Sequence, residues 1–172
     1  VLIGGKPVLA CGYTVSGDVT VHVTAAKTHA RILTDGYGAE VELQPLRDGA
    51  MAAFDIGTTT VVCYLLEAGT GHLLAAASAV NPQQSYGADV ISRIQRALAG
   101  EMEAQTRLIR EQMGSLLGDA CRQAGVLPET VGVISVVGNP CMQQLFLGIM
   151  PENLAKIPFA PVLSLIHISE PT

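Results

Sequence analysis

The sequence predicts an α/β domain built as a three-stranded antiparallel meander, two helices, a fourth strand and a closing helix. Three observations carry that prediction. A strand, a tight polar turn and a returning strand run from Ala52 to Leu66. Apolar residues then recur at helical spacing on either side of Gly100. Finally, the apolar run Val131 to Val137 feeds directly into a helix start at Gly138-Asn139-Pro140. The chain has 172 residues, enough for one domain or one domain and a fragment.

Composition narrows the function classes. Hydrophobic residues make up 49% and charged residues 15%, a globular balance rather than a disordered one. A formal charge of −5, with no basic cluster, gives no electrostatic footprint for nucleic acid. Aromatics at 4% and the absence of Trp argue against base-stacking platforms. No apolar run reaches the length of a membrane span, and the start carries no charged-then-apolar signal pattern. The chain begins at Val1 inside what reads as a strand, so it is expected to be an excerpt of something longer. Cys11, Cys63, Cys121 and Cys141 are scattered, without a C-x-x-C pair or a His at ligand spacing. Each reads first as a reduced, core-filling thiol of a cytoplasmic protein.

Taken in order, residues 1–23 read as short strands: Val1 to Ile3, a turn at Gly4-Gly5, Pro7 to Cys11, and Asp18 to Val23. Residues 24–50, with Gly36, Gly38 and Pro45, read as a linker holding at most one short strand, with a boundary at Asp48-Gly49. The main domain, 51–163, opens on the hairpin. Its turn places a carboxylate, a glycine and three hydroxyls together at Asp55, Gly57, Thr58, Thr59 and Thr60. Asp55 suits a hydrated Mg²⁺, which takes few carboxylates. Gly57 lets a phosphate approach the backbone, and the amides and hydroxyls of the threonines can form an anion-binding concavity. An ordinary Gly-Thr hairpin explains the same residues about as well when they are taken alone.

His72 to Val80 is the third strand, and Asn81-Pro82 stops it. Between Gln83 and Leu98, residues Val90, Ile91, Ile94, Ala97 and Leu98 fall on one helix face. Asp89 lies near that helix start. With Arg93 it has the spacing of an exposed ion pair worth roughly 0.2–0.5 kcal/mol, a role at the site being the alternative. Gly100 breaks the chain. Glu101 to Ala124 forms a longer helix with a stripe of Ile109, Met113, Leu116, Leu117, Ala120 and Ala124, closed by Gly125 and Pro128. The run Val131 to Val137 suits a strand buried on both faces. Asn139 as N-cap with Pro140 behind it opens the last helix and sets amides near a crevice at a strand end, so Gly138 and Asn139 are candidate cleft residues. This order, β-β-β-α-α-β-α, is that of a ribonuclease-H-like core.

Three motifs occur together: D-I-G-T-T-T at Asp55 to Thr60, N-P-Q-x-x-Y-G-A-D-V-I-S-R-I at Asn81 to Ile94, and V-V-G-N-x-x-M-x-x-L-F-L-G at Val136 to Gly148. In that order they resemble the reductive activators of corrinoid proteins, over roughly residues 5 to 163. Those are iron–sulfur proteins with a ferredoxin domain and an ATPase domain of the acetate kinase, sugar kinase, chaperone and actin type. The first motif is shared across that superfamily, and the other two are the specific ones. Pro7-Val8-Leu9-Ala10-Cys11 followed by Ser16 to Val21 is similar to the end of a β-grasp [2Fe–2S] ferredoxin domain.

The resemblance implies the first lobe of an actin-like ATPase preceded by a ferredoxin ending. It also implies ATP-coupled reduction of a Co(II) corrinoid protein to Co(I) for methyl transfer, with a reductant as second partner. Asp55 would hold Mg²⁺, Gly57 and Thr58 to Thr60 the nucleotide phosphates, and Cys11 would be one [2Fe–2S] ligand. A cluster takes four thiolates, so the other three are expected upstream of Val1, and the second lobe with its own phosphate loop is expected elsewhere. No residue here reads a corrin ring. Ser164 to Thr172 departs from the family pattern and resembles a translated sequencing-adapter remnant, so 164–172 is expected to be a non-native tail and His167 receives no role. A genomic locus encoding those residues would rule this out. The alternatives are a small-molecule kinase of the same superfamily, or a non-catalytic nucleotide-binding redox or scaffold protein. A P-loop NTPase lacks its G-x-x-x-x-G-K-[ST] here, and a zinc enzyme lacks clustered His and Cys.

Overall fold

The computed structural model describes Leu2, Ile3, Lys6, Pro7, Thr14, Gly17 and residues 49–162. The chain divides into two compact units, Val1–Arg31 and Ile32–Thr172. In the first, β1 (Leu2–Ile3) pairs antiparallel with β2 (Lys6–Pro7). The expected ferredoxin strands beyond these, Cys11 among them, lie outside the described residues, as do residues 24–48 of the expected linker and the expected tail, 164–172.

The second unit holds a four-stranded mixed sheet in the order β5-β4-β3-β6. Strands β3 (Ala50–Ile56), β4 (Thr60–Glu67) and β5 (Leu73–Val80) form the antiparallel meander, and β6 (Val131–Gly138) lies parallel to β3. This is the α/β arrangement expected from the element order. Alternation along β3 buries Ala52, Phe54 and Ile56 and leaves Asp55 exposed on the opposite face. The buried set continues through Val61, Cys63 and Leu65 of β4 and packs with Ile94, Ile109, Met113, Leu116, Met142 and Leu145 from the helices.

Helix α2 (Met102–Ala124) supplies most of that helical layer. It ends where Gly125 turns to φ 67° and Val126 N–H donates back to Cys121 O at 3.0 Å, the left-handed glycine cap that the sequence signals. Helix α3 (Pro140–Leu147) starts as expected, with Asn139 Oδ1 accepting from Met142 N–H at 3.0 Å. Thr106 Oγ1 donates to Leu145 O and Arg110 Nε to Phe146 O, which ties α2 to α3.

Three expectations are corrected. The segment 83–98 is not one helix: a 3₁₀ turn covers Pro82–Tyr86, α1 covers Val90–Arg96, and a wider π turn runs over Ala97–Glu101 to Gly100 at φ 98°. Only Ile94 and Ala97 of the expected stripe are fully buried, while Ile91 is 50% exposed and Leu98 47%. The π turn breaks the α-helical spacing at Ala97 and Leu98, and α1 packs against α3 and the turns that flank it. Strand β6 is not buried on both faces either. It is the edge of the sheet, and Ile134 and Val137 are 52% and 56% exposed. Nor do Asp89 and Arg93 form an exposed pair, because Arg93 is fully buried. Asp89 caps α1 instead, accepting from Ser92 N–H at 2.9 Å, which holds its carboxyl below the usual range.

The split face of α1 sets a test. Ile94→Ala should cost about 2–5 kcal/mol, the range for emptying a core position, whereas Ile91→Ala should stay within about 0.5 kcal/mol. Urea midpoints of the two variants measure this. Equal losses would show that Ile91 is buried as deeply as Ile94.

Candidate functional site

The turn between β3 and β4 consists of Gly57, Thr58 and Thr59. Gly57 N–H donates to Thr60 O at 2.8 Å, and a Cβ at position 57 would stand 2.8 Å from that same oxygen. No side chain fits there. The three turn carbonyls are all engaged from one direction, by the segment that follows β5. Gly57 O accepts from Asn81 Nδ2 at 2.8 Å, and Thr58 O accepts from Arg93 Nη2 at 2.6 Å. Thr59 O accepts from Asn81 N–H at 2.8 Å and from Gln84 Nε2 at 3.4 Å.

In a planar trans peptide the C=O and the following N–H point opposite ways. Turning the carbonyls of Gly57 and Thr58 toward residues 81–93 therefore turns the amides of Thr58 and Thr59 away from them. Neither amide has an acceptor among the described residues. The outer side of the turn is thus lined with donors. Successive free amides on a turn form an anion-binding concavity. Thr60 is placed differently, as the first residue of β4, paired with Val80.

Behind the turn lies a buried polar network. Asn81 Oδ1 accepts from Gln83 N–H at 2.9 Å, which caps the 3₁₀ turn while its Nδ2 holds Gly57 O. Arg93 donates Nε to Gly87 O at 3.0 Å and Nη1 to Met142 Sδ at 3.2 Å, in addition to its bond to Thr58 O. Gln105 Nε2 donates to Arg93 O at 3.0 Å, and Gln83 Nε2 to Gln105 O at 3.1 Å. Burial lowers the Arg93 pKa, yet a guanidinium stays charged in proteins. No carboxylate lies within ion-pair distance of it among the described residues. The nearby Cys141 thiol is pushed up to about 11 by burial, despite the opposing pull of Arg93, and Cys63 likewise to about 11. These are neutral core thiols, as expected, not nucleophiles.

Asp55 sits one residue before the end of β3, in register with Val62 on one side and Val137 on the other. It is exposed, and its carboxylate has no hydrogen-bond or ion-pair partner among the described residues. Among those residues no three His, Cys, Asp or Glu side chains cluster as a metal site. A lone free carboxylate beside amide donors fits Mg²⁺, which keeps waters and takes further oxygens from bound phosphates.

Gly138 and Asn139 complete the site from the third motif. A Cβ on Gly138 would stand 2.8 Å from Ile56 O, so glycine is what lets the end of β6 close on the end of β3. Asn139 Nδ2 then donates to Thr58 Oγ1 at 3.2 Å, setting the start of α3 beside the turn. The structure thus brings together Asp55, Gly57, Thr58, Thr59, Gly138 and Asn139. Cys11 lies outside the described residues. Sequence reasoning missed Asn81 and Met142 as supports of the turn, and it gave Arg93 a role at the site only as the alternative to a surface pair with Asp89. The available signal was an arginine set directly before Ile94 on the face that packs.

The family model described as the RACo middle region matches residues 50–170. A protein of Eubacterium limosum named corrinoid activation enzyme RamQ is 37% identical over 109 residues, 62% of this chain and 18% of that protein. A solved structure named reductive activator for corrinoid, iron–sulfur protein superposes with a TM-score of 0.65 at 30% identity, over 69% of this chain and 19% of that one. The chain therefore spans about a fifth of the length of these relatives.

Asn81 holds two of the three turn carbonyls, one through its side chain and one through its backbone. Asn81→Ala should therefore destabilise the protein by about 1–3 kcal/mol, the cost of leaving a buried acceptor unpaired. Chemical denaturation measures it. A loss below about 0.5 kcal/mol, the level of an ordinary surface change, would mean that water replaces the amide and that the turn is not held from behind.

Proposed function

The chain belongs to the RACo middle-region family, and from that premise we propose that it forms the nucleotide-phosphate-binding lobe of an ATP-dependent reductive activator of corrinoid proteins. The activity belongs to a longer protein, as the length of the relatives suggests. In it, a Co(II) corrinoid protein accepts one electron to become Co(I), ready for methyl transfer, and hydrolysis of ATP to ADP and phosphate drives the otherwise unfavourable transfer. The proposal rests on one observation above all: the Gly57, Thr58 and Thr59 carbonyls are all bonded from residues 81–93, while the Thr58 and Thr59 amides have no acceptor among the described residues.

The roles follow from the positions. Thr58 and Thr59 amides and hydroxyls bind phosphate oxygens, and Gly57 and Gly138 keep Cβ atoms out of the converging strand ends. Asn139 orients the Thr58 hydroxyl. Asp55 would hold Mg²⁺ through water, and the ion would neutralise phosphate charge. Cys11 would be one of four thiolates of a [2Fe–2S] cluster that supplies the electron. A reductant refills it, and the setting is cytoplasmic. Among the described residues no helix is long and apolar enough to cross a membrane.

The test uses the full-length protein carrying this chain, expressed anaerobically with its cluster loaded. A Co(II) corrinoid protein and an electron donor are followed spectroscopically with and without Mg-ATP. Co(I) should appear only with Mg-ATP. Asp55→Ala should abolish Mg-dependent hydrolysis, and Thr58→Val should weaken nucleotide binding by about 1–3 kcal/mol, the value of a hydrogen bond to a charged group. ATP binding by a loaded protein that leaves Co(II) unchanged would overturn the corrinoid assignment, and phosphate transfer to a small-molecule acceptor would favour a kinase.

A further inference from the structure

We propose that Arg93 is a positioning residue of the phosphate site, supplying through the Thr58 carbonyl the fixed positive charge that a bound anion neutralises. The inference rests on the nucleotide reading above and goes beyond it by assigning a residue that touches no ligand.

A buried cation is ordinarily paired, because leaving it alone in a low-dielectric interior is costly. Arg93 is fully buried, and its partners are two backbone carbonyls and a thioether, all uncharged. Asp89 acts on it only through space and spends its carboxylate on Ser92. The charge is therefore solvated by dipoles and left without a counter-charge. Its shortest bond, Nη2 to Thr58 O at 2.6 Å, falls on the peptide whose other end is the Thr59 N–H. Hydrogen bonds in a chain polarise one another, so the guanidinium makes that amide a stronger donor on the ligand side. The field of the charge has the same sign as the donors in front of it, and salt screens a buried charge much less than an exposed one. An anion seated on the turn supplies the missing negative charge.

A purely structural arginine, holding the turn in shape, gives a different signature. It would act on every ligand of the site alike, whereas a fixed charge acts in proportion to ligand charge. Affinities of adenosine, ADP and ATP are measured calorimetrically on the full-length protein, for wild type, Arg93→Gln and Arg93→Lys, with folding checked by circular dichroism. Arg93→Gln should weaken ADP and ATP by about tenfold or more, the scale of one charged hydrogen bond, and leave adenosine unchanged. Arg93→Lys keeps a donor for Thr58 O, but its amine, buried without a counter-charge, is driven neutral, so it should weaken ADP and ATP as Arg93→Gln does and leave adenosine unchanged.

Equal weakening of adenosine and ADP in Arg93→Gln, or none for either, overturns the inference. If Arg93→Gln does not fold, Arg93→Lys decides. A loss of ADP affinity that adenosine does not share supports the charge, and an equal change for the two ligands in a folded protein overturns it. Wild type that binds neither ADP nor ATP defeats the nucleotide reading itself, a result separable from any effect at Arg93.

Discussion

Three carbonyl oxygens at the tip of one hairpin organise this structure. Backbone acceptors buried without partners are costly, and the turn at Gly57, Thr58 and Thr59 is too short to satisfy its own. Asn81, Gln84 and Arg93 reach back across the end of β5 to do so. That requirement fixes where the chain goes after the meander. Asn81 must leave β5 with its amide on Thr59 O, Pro82 to Tyr86 must coil tightly, and α1 must deliver Arg93 under the turn. Met142, touched by both Asn81 Nδ2 and Arg93 Nη1, draws α3 into the same node. The second and third motifs are thus physically the supports of the first.

That linkage explains what was legible in the sequence. Element order is carried by periodicity and turn chemistry, which are local, so the meander, the Gly125 cap and the Asn139 start read correctly. The turn motif was legible because a carboxylate, a glycine and hydroxyls in succession have few uses. Side-chain burial is not local. Val131 to Val137 has apolar residues at almost every position, a pattern that fits a strand covered on both faces and equally an edge strand with one bare side. Arg93 illustrates the same limit more sharply. Its spacing from Asp89 matches a surface pair, and only the tertiary position of Thr58 O reveals that the guanidinium turns inward.

The two glycines show how narrow the site is. A Cβ at Gly57 and a Cβ at Gly138 would each stand 2.8 Å from a backbone oxygen, of Thr60 and of Ile56. Backbone oxygens cannot swing away as a flexible side chain does. The carboxyl ends of two parallel strands and the turn between two antiparallel ones therefore converge to the limit of contact. In open α/β sheets, ligands characteristically sit outside the carboxyl ends of the strands, and here that end brings Thr58 and Asn139 together near the end of β3 that carries Asp55.

Asp55 stands apart from this rigidity, and the contrast separates two tasks. The donors of the turn are held from behind by a buried network, so they need little reorganisation to meet charge, which is the condition under which fixed dipoles stabilise anions best. The Asp55 carboxylate has no such brace. A carboxylate held by several donors would be committed to them, whereas a free one can accept a hydrated cation and move with it as the phosphates change. Under the proposed function, a braced turn would meet the phosphates in one geometry, while the unbraced Asp55 carboxylate would let a hydrated magnesium ion adjust beside it.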